Sequence, residues 1–140
     1  MLKHLFGILL LSFVTSFQHG QRILLSDVKA LSLQSGKYTT GYRTPPVPQL
    51  NCESGFCSYG PNNIMCENVG HGDTDFVWKC TGYGMTPGYK LRNSDVSCEG
   101  YEFKEDPYVL AGSCAVYYSV DKDYSYTKPV TTTTTTSTPV

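Results

Sequence analysis

The chain has 140 residues, with 13 Gly, 8 Pro, 6 Cys, 11 Tyr, 6 Phe and 1 Trp, and a formal charge of −1. That length suits a single domain and excludes a large two-domain enzyme. Eleven Lys and Arg against twelve Asp and Glu, with no basic run, argue against a nucleic-acid partner. The abundance of Gly, Pro, Thr and Tyr argues against a helical bundle.

Taken in chain order, the first segment is an address. Lys3 and His4 precede the apolar run Leu5–Val14, too short for the ~20 residues of a membrane helix. Val14 and Ser16 have the small side chains that signal peptidase accepts, so residues 1–16 are predicted to be a cleaved signal peptide. Its removal takes only Lys3 among the charged residues and leaves 10 positive against 12 negative, or −2. No second long apolar span follows. The domain itself is expected over residues 17–127.

Arg22–Leu33 is an apolar run broken at Ser26-Asp27, with strand-like alternation after the break. Lys37–Thr40 is rich in β-formers. Thr44–Pro48 contains three prolines that lack N–H donors, so it is expected to be an extended connector. Ile64–Asn68 and Phe76–Cys80 flank the Gly/Asp-rich segment Val69–Asp75 and are expected to form a hairpin. Gly82–Gly88 is a turn cluster. Val96–Phe103 and Tyr108–Ala111 are expected to form a second hairpin around Asp106. Ala115–Val120 (AVYYSV) is a β-branched and aromatic strand near the end of the domain. It is expected to swing out and pair with a second copy, giving a homodimer. Turn signals spaced this way imply an all-β sandwich or barrel. From Lys128 onward the Thr-rich sequence KPVTTTTTTSTPV has little to bury. It is expected to be disordered, with a composition suited to O-glycosylation.

Six cysteines follow the signal: Cys52, Cys57, Cys66, Cys80, Cys98 and Cys114. An even count in a small secretory domain implies three disulfides and no free thiol. Their number allows many pairings, but one is favoured by position. Cys98 and Cys114 lie eight residues either side of Asp106, facing each other in a hairpin folded there. A zinc site is disfavoured, because there is no C-x-x-C spacing and only His19 and His71 remain. An immunoglobulin domain is disfavoured too: Cys66 to Trp78 is close to its spacing, but no tyrosine stands two positions before Cys98 or Cys114.

No catalytic constellation emerges, and no cofactor or metal site is expected. His71, between Gly70 and Gly72, is expected to be a solvated turn residue. Asp73 with Asp75, and Asp121 with Asp123, form D-x-D pairs outside any EF-hand loop, and are expected to be solvated turn carboxylates. The chain is therefore expected to be a non-enzyme.

Several blocks resemble a known family. They begin with Leu24–Leu31 (LLSDVKAL), Lys37–Thr40 (KYTT) and Pro46–Cys52 (PVPQLNC). They continue with Cys57–Tyr59, Ile64–Cys66, Val77–Cys80 and Val96–Tyr101 (VSCEGY), and close with Glu105–Cys114 (EDPYVLAGSC). In this order they are similar to the luminal domain of the store-operated calcium entry-associated regulatory factor family. The resemblance implies a family-specific β-sandwich in the endoplasmic reticulum lumen, able to dimerise through exchanged strands. It also implies a non-catalytic role. The family restrains calcium entry by promoting slow inactivation of a stromal interaction molecule-type calcium sensor, and through it of Orai channels. In the family a membrane helix and a cytosolic sensor-binding region follow this domain, and neither is written in these 140 residues. The alternative expectation is a secreted disulfide-rich binding domain that no longer acts on the sensor.

Overall fold

The computed structural model describes residues 20–71 and 76–130. The expected signal peptide, the carboxylates Asp73 and Asp75, and residues 131–140 of the Thr-rich segment lie outside the described residues.

The described chain contains eight strands and two short 3-10 turns. β1 (Arg22–Leu24) runs into a turn at Leu25–Asp27, where Ser26-Asp27 breaks the apolar run, and β2 (Ala30–Gln34) follows. β3 is Leu50–Gly55, followed by the second turn at Cys57–Tyr59. The long strands are β4 (Asn63–His71), β5 (Phe76–Tyr83) and β6 (Tyr89–Ser97). β7 (Tyr108–Leu110) is short, and β8 (Ala115–Lys122) closes the domain.

These strands form two three-stranded sheets and a small ribbon. The first sheet, β2-β4-β5, is antiparallel throughout. The second, β3-β8-β6, pairs β8 parallel to β3 and antiparallel to β6. The ribbon joins β1 to β7. The all-β, disulfide-stapled sandwich expected from the sequence is the architecture observed.

Alternation explains which face of each strand is buried. In β4, Ile64 and Cys66 point inward while Met65 and Glu67 face out. In β5, Phe76, Trp78 and Cys80 are on the inner face, and Val77, Lys79 and Thr81 on the outer. This period of two is what a half-solvated antiparallel sheet requires. The core forms where Leu33, Ile64 and Cys66 meet Val116, Tyr118 and Val120 of β8.

β8 breaks the alternation, because it is covered on both faces. Ala115, Val116, Tyr118, Ser119 and Val120 are all buried, which accounts for its unbroken uncharged run. The sequence reading of Ala115–Val120 as an exchangeable terminal strand is thus corrected. Although near the end of the domain in sequence, it is the central strand of its sheet, hydrogen-bonded on both sides. Within the buried stretch the Ser119 hydroxyl lies 2.8 Å from the Ser54 hydroxyl of β3. Gly55, at φ 85°, lets β3 approach this strand, and a Cβ there would run into the Val120 carbonyl.

Two further expectations are corrected. The β-rich Lys37–Thr40 does not form a strand. Tyr38 makes a single bridge to Pro48, and the connector folds back on itself, with the Thr39 N–H donating to Val47 O and the Gln49 N–H to Lys37 O. The hairpin around Asp106 is also reduced to one bridge, Gly100 with Val109, because β7 takes β1 as its ladder partner. The Tyr101 and Leu110 N–H groups still bond to Tyr108 O and Glu99 O. The close approach needed by the cysteines therefore survives without a full ladder.

The disulfides are Cys52–Cys57, Cys66–Cys80 and Cys98–Cys114. Cys66 and Cys80 stand directly opposite on β4 and β5, with Cα atoms 4.0 Å apart. This bridge joins neighbours within one sheet, unlike the inter-sheet bridge of an immunoglobulin domain. Cys98 and Cys114, the pair favoured by position, are bridged, also with Cα atoms 4.0 Å apart.

Candidate functional site

The segment 98–107 is where the fold concentrates its polar groups. Glu99 follows the bridged Cys98 and is buried, at 9% exposure. Its carboxylate accepts hydrogen bonds from three successive backbone N–H groups. Tyr42 donates to Oε2 at 3.1 Å, while Arg43 and Thr44 donate to Oε1, Thr44 at 3.0 Å. The reason lies in the connector. Pro45, Pro46 and Pro48 have no N–H, so residues 42–44 carry the last donors before the proline pair. Successive amides in a bend make a ready anion cradle, and Glu99 supplies the anion from within the chain.

Burial alone would raise the Glu99 pKa, but the bonds from Tyr42, Thr44 and Arg43 outweigh it and hold the carboxyl below its usual value of 4.5. The Arg43 side chain completes the clasp, donating from Nε to Gly100 O at 2.8 Å. On the other side, the Glu99 N–H donates to the Ser113 hydroxyl at 2.9 Å. Asp106 closes the same loop by accepting from the Tyr108 and Glu102 N–H groups, at 2.9 and 3.0 Å. These two bonds hold its pKa below the ordinary 3.8.

Two clefts flank this segment, and both are bordered by Cys98 and Lys104. The first, about 330 Å3, lies under the connector and is lined in part by Thr39, Thr40, Arg43, Glu99 and Tyr117. Most of its polar atoms are engaged. Thr39 Oγ1 accepts from the Val47 N–H, and Thr40 Oγ1 donates to Ala111 O. It is a seam that fixes the connector to the sandwich. The second, about 450 Å3, has an apolar and aromatic wall of Leu25, Phe76, Trp78, Val96 and Pro107, with Lys104 and Glu105 among its polar lining. An apolar wall with a few charges is suited to binding.

The residues singled out in the sequence are dispersed. His71 is corrected from a turn residue to the last residue of β4, where its ring packs on Phe76 with centroids 4.1 Å apart. Asp121 pairs with Arg92 at 3.1 Å. Asp123 accepts from the Ser125 hydroxyl and N–H, which hold its pKa below the ordinary 3.8. Among the described residues, no three His, Cys, Asp or Glu side chains gather as a metal site would require.

Sequence reasoning missed Glu99 and an aromatic cluster. Phe56 and Tyr59, around the second turn, pack on Tyr89 of β6 with centroids 5.5 and 4.4 Å apart, and the Tyr59 and Tyr89 rings are stacked. Lys122 Nζ lies 5.2 Å over the Phe56 ring. Nothing in the spacing pairs residues so far apart. For Glu99 the signal was present: a single carboxylate between a cysteine and a glycine, in a chain where three successive backbone donors precede a proline pair.

Comparison with known proteins assigns the family. A family profile described as "SOCE-associated regulatory factor of calcium homoeostasis" matches residues 4–138. Curated relatives named store-operated calcium entry-associated regulatory factor are similar at 48% identity over 103 residues in Mus musculus and 47% over 103 residues in Homo sapiens. Each of these matches covers 71% of this chain. A relative of the same name in Dictyostelium discoideum is 39% identical over 104 residues, again 71% of this chain. The chain spans 30–32% of the length of these relatives. With the family profile covering nearly the whole sequence, this chain belongs to the store-operated calcium entry-associated regulatory factor family.

Proposed function

We propose that residues 17–127 form a non-catalytic regulatory domain for store-operated calcium entry, working in the lumen of the endoplasmic reticulum after removal of residues 1–16. The observation that carries this reading is the match itself. Almost half of 103 residues are identical to mammalian proteins named for regulating store-operated calcium entry. The clasp supports it, because the Glu99 and Asp106 carboxylates are engaged by backbone donors in holding loops. The partner in this reading is a stromal interaction molecule-type calcium sensor, with Orai channels downstream. A second copy of the domain is a further partner.

A domain replacement tests the proposal. The matching stretch of the Homo sapiens relative is replaced by residues 17–127, and the chimera is expressed in cells lacking their own copy. Calcium entry after store depletion is expected to inactivate slowly, as with the intact relative. A chimera that folds and reaches the endoplasmic reticulum, yet leaves entry as sustained as in cells without it, overturns the reading.

A further inference from the structure

The three disulfides differ in what surrounds them. Cys66 is completely buried and Cys114 is 4% exposed, so the bridges to Cys80 and Cys98 are each anchored in the interior. Cys52–Cys57 is different. Cys52 ends its side chain against the core, whereas Cys57 lies in an exposed stretch spanning residues 53–59. This bridge closes a ring of sequence separation 5, against 14 and 16 for the others. A short ring constrains the unfolded chain least, and an accessible sulfur is the one an incoming thiolate reaches.

The backbone around the ring has its own supports. Phe56 N–H donates to Val120 O, Tyr59 N–H to Phe56 O and Gly60 N–H to Cys57 O. Gly55 also pairs with Val120 in the parallel ladder. What the bridge adds is the seating of the second turn, and that turn carries Phe56 and Tyr59 onto Tyr89.

We propose that Cys52–Cys57 is a reversible thiol–disulfide exchange site, opened by an external dithiol, while Cys66–Cys80 and Cys98–Cys114 stay closed. A thiolate of the dithiol attacks Cys57 Sγ. A mixed disulfide forms, the Cys52–Cys57 bond breaks, and Cys52 leaves as a thiolate that takes a proton from solvent. The second thiol of the dithiol, once deprotonated, attacks its neighbour's sulfur in the mixed disulfide. Cys57 is released as a thiolate and is protonated. Two electrons and two protons pass to the protein, and the dithiol ends as a disulfide. Opening frees the turn, so the Phe56–Tyr59–Tyr89 cluster loosens while the sandwich stays intact. The site is independent of the calcium-entry reading above.

The test is a dithiothreitol titration of the full chain, with thiols trapped by iodoacetamide and located by peptide mapping. Cys52 and Cys57 are expected to be alkylated at a concentration at least tenfold below that needed for the other four. The near-ultraviolet tyrosine dichroism should change at that step while the far-ultraviolet β signal holds. Alkylation of Cys66, Cys80, Cys98 or Cys114 at the same or lower dithiothreitol overturns the proposal. So does loss of the β signal at the first step. The double variant Cys52→Ser with Cys57→Ser is expected to fold and to show the tyrosine dichroism of the opened protein. A double variant that does not fold, or that keeps the dichroism of the closed protein, counts against it.

Discussion

Glu99 shows how one carboxylate orders a segment that has no regular structure of its own. Three amide donors converge on it, and removing the acceptor would leave them buried or force the connector off the sandwich. Glu99→Ala is expected to cost about 1–3 kcal/mol, measured by denaturant unfolding. The charge adds a pH dependence whose sign follows from the lowered pKa. Above the unfolded value of 4.5 the carboxylate is ionised in both states, and its contribution is fully present. As pH falls below that value toward the folded pKa, the unfolded chain takes up the proton first, and the contribution is lost. Stability is expected to fall as pH drops below about 5. Glu99→Gln should flatten that slope, with Asp106, also lowered, supplying part of what remains. An unchanged acid slope in the variant would show that the clasp does not titrate as described. In the core the expectation is different in kind. Ile64 is fully buried between the sheets, so Ile64→Ala is expected to destabilise by about 2–5 kcal/mol, without altering the acid slope.

At the scale of elements, β8 governs the second sheet. Its central position means that proline there removes a donor from a fully paired strand, with steric cost in addition. Tyr118→Pro is expected to unfold the domain, seen as loss of the far-ultraviolet β signal. A folded Tyr118→Pro domain altered only in its self-association would restore the terminal-strand view of β8. The sequence made some of this legible. Two strand-like segments, Ile64–Asn68 and Phe76–Cys80, either side of a Gly/Asp-rich stretch marked the β4–β5 pairing, and Ser26-Asp27 marked the break between β1 and β2. The extent of β4 was hidden by Gly70, because a glycine inside a strand looks like a loop. Here it follows a register shift, with its N–H capped by Asn68 Oδ1. β3 and most of β6 went unread for a physical reason. Leu50–Gly55 contains polar residues and a positive-φ glycine, and Tyr89–Ser97 carries a bulge with Asn93 at φ 52°. Neither shows clean alternation. β8 was legible as a strand but not as a central one, since parallel pairing with β3 is long-range and leaves no local mark. Of the site, the cysteines were plain in the sequence, whereas the clasp joins residues more than fifty positions apart.

At the scale of the molecule, Cys98–Cys114 does more than join two positions. It closes the loop that holds Glu99, Asp106 and β7, and β7 is the partner of β1. Through Glu99 the same loop fixes the connector at residues 42–44. Three parts of the chain that are remote in sequence thus depend on one covalent link. Losing it should cost about 3 kcal/mol from the loop length alone, a large share of the ~5–15 kcal/mol available to a domain. The loss should also be uneven. The facing core of Leu33, Ile64, Cys66, Val116, Tyr118 and Val120 makes no covalent use of this bridge, while β1, the connector and residues 99–113 lie outside that cluster and depend on the bridge, on hydrogen bonds and on the buried Val109 and Leu110. The double variant Cys98→Ser with Cys114→Ser is therefore expected to become sensitive to protease first within residues 20–27, 38–48 and 99–113. The cuts should appear at protease concentrations that leave the parent chain whole, with β4 and β8 the last segments to be cleaved. Uniform cleavage across all strands would mean instead that the bridge stabilises the domain as a whole, and that the loop, the ribbon and the connector are not a separate cooperative unit.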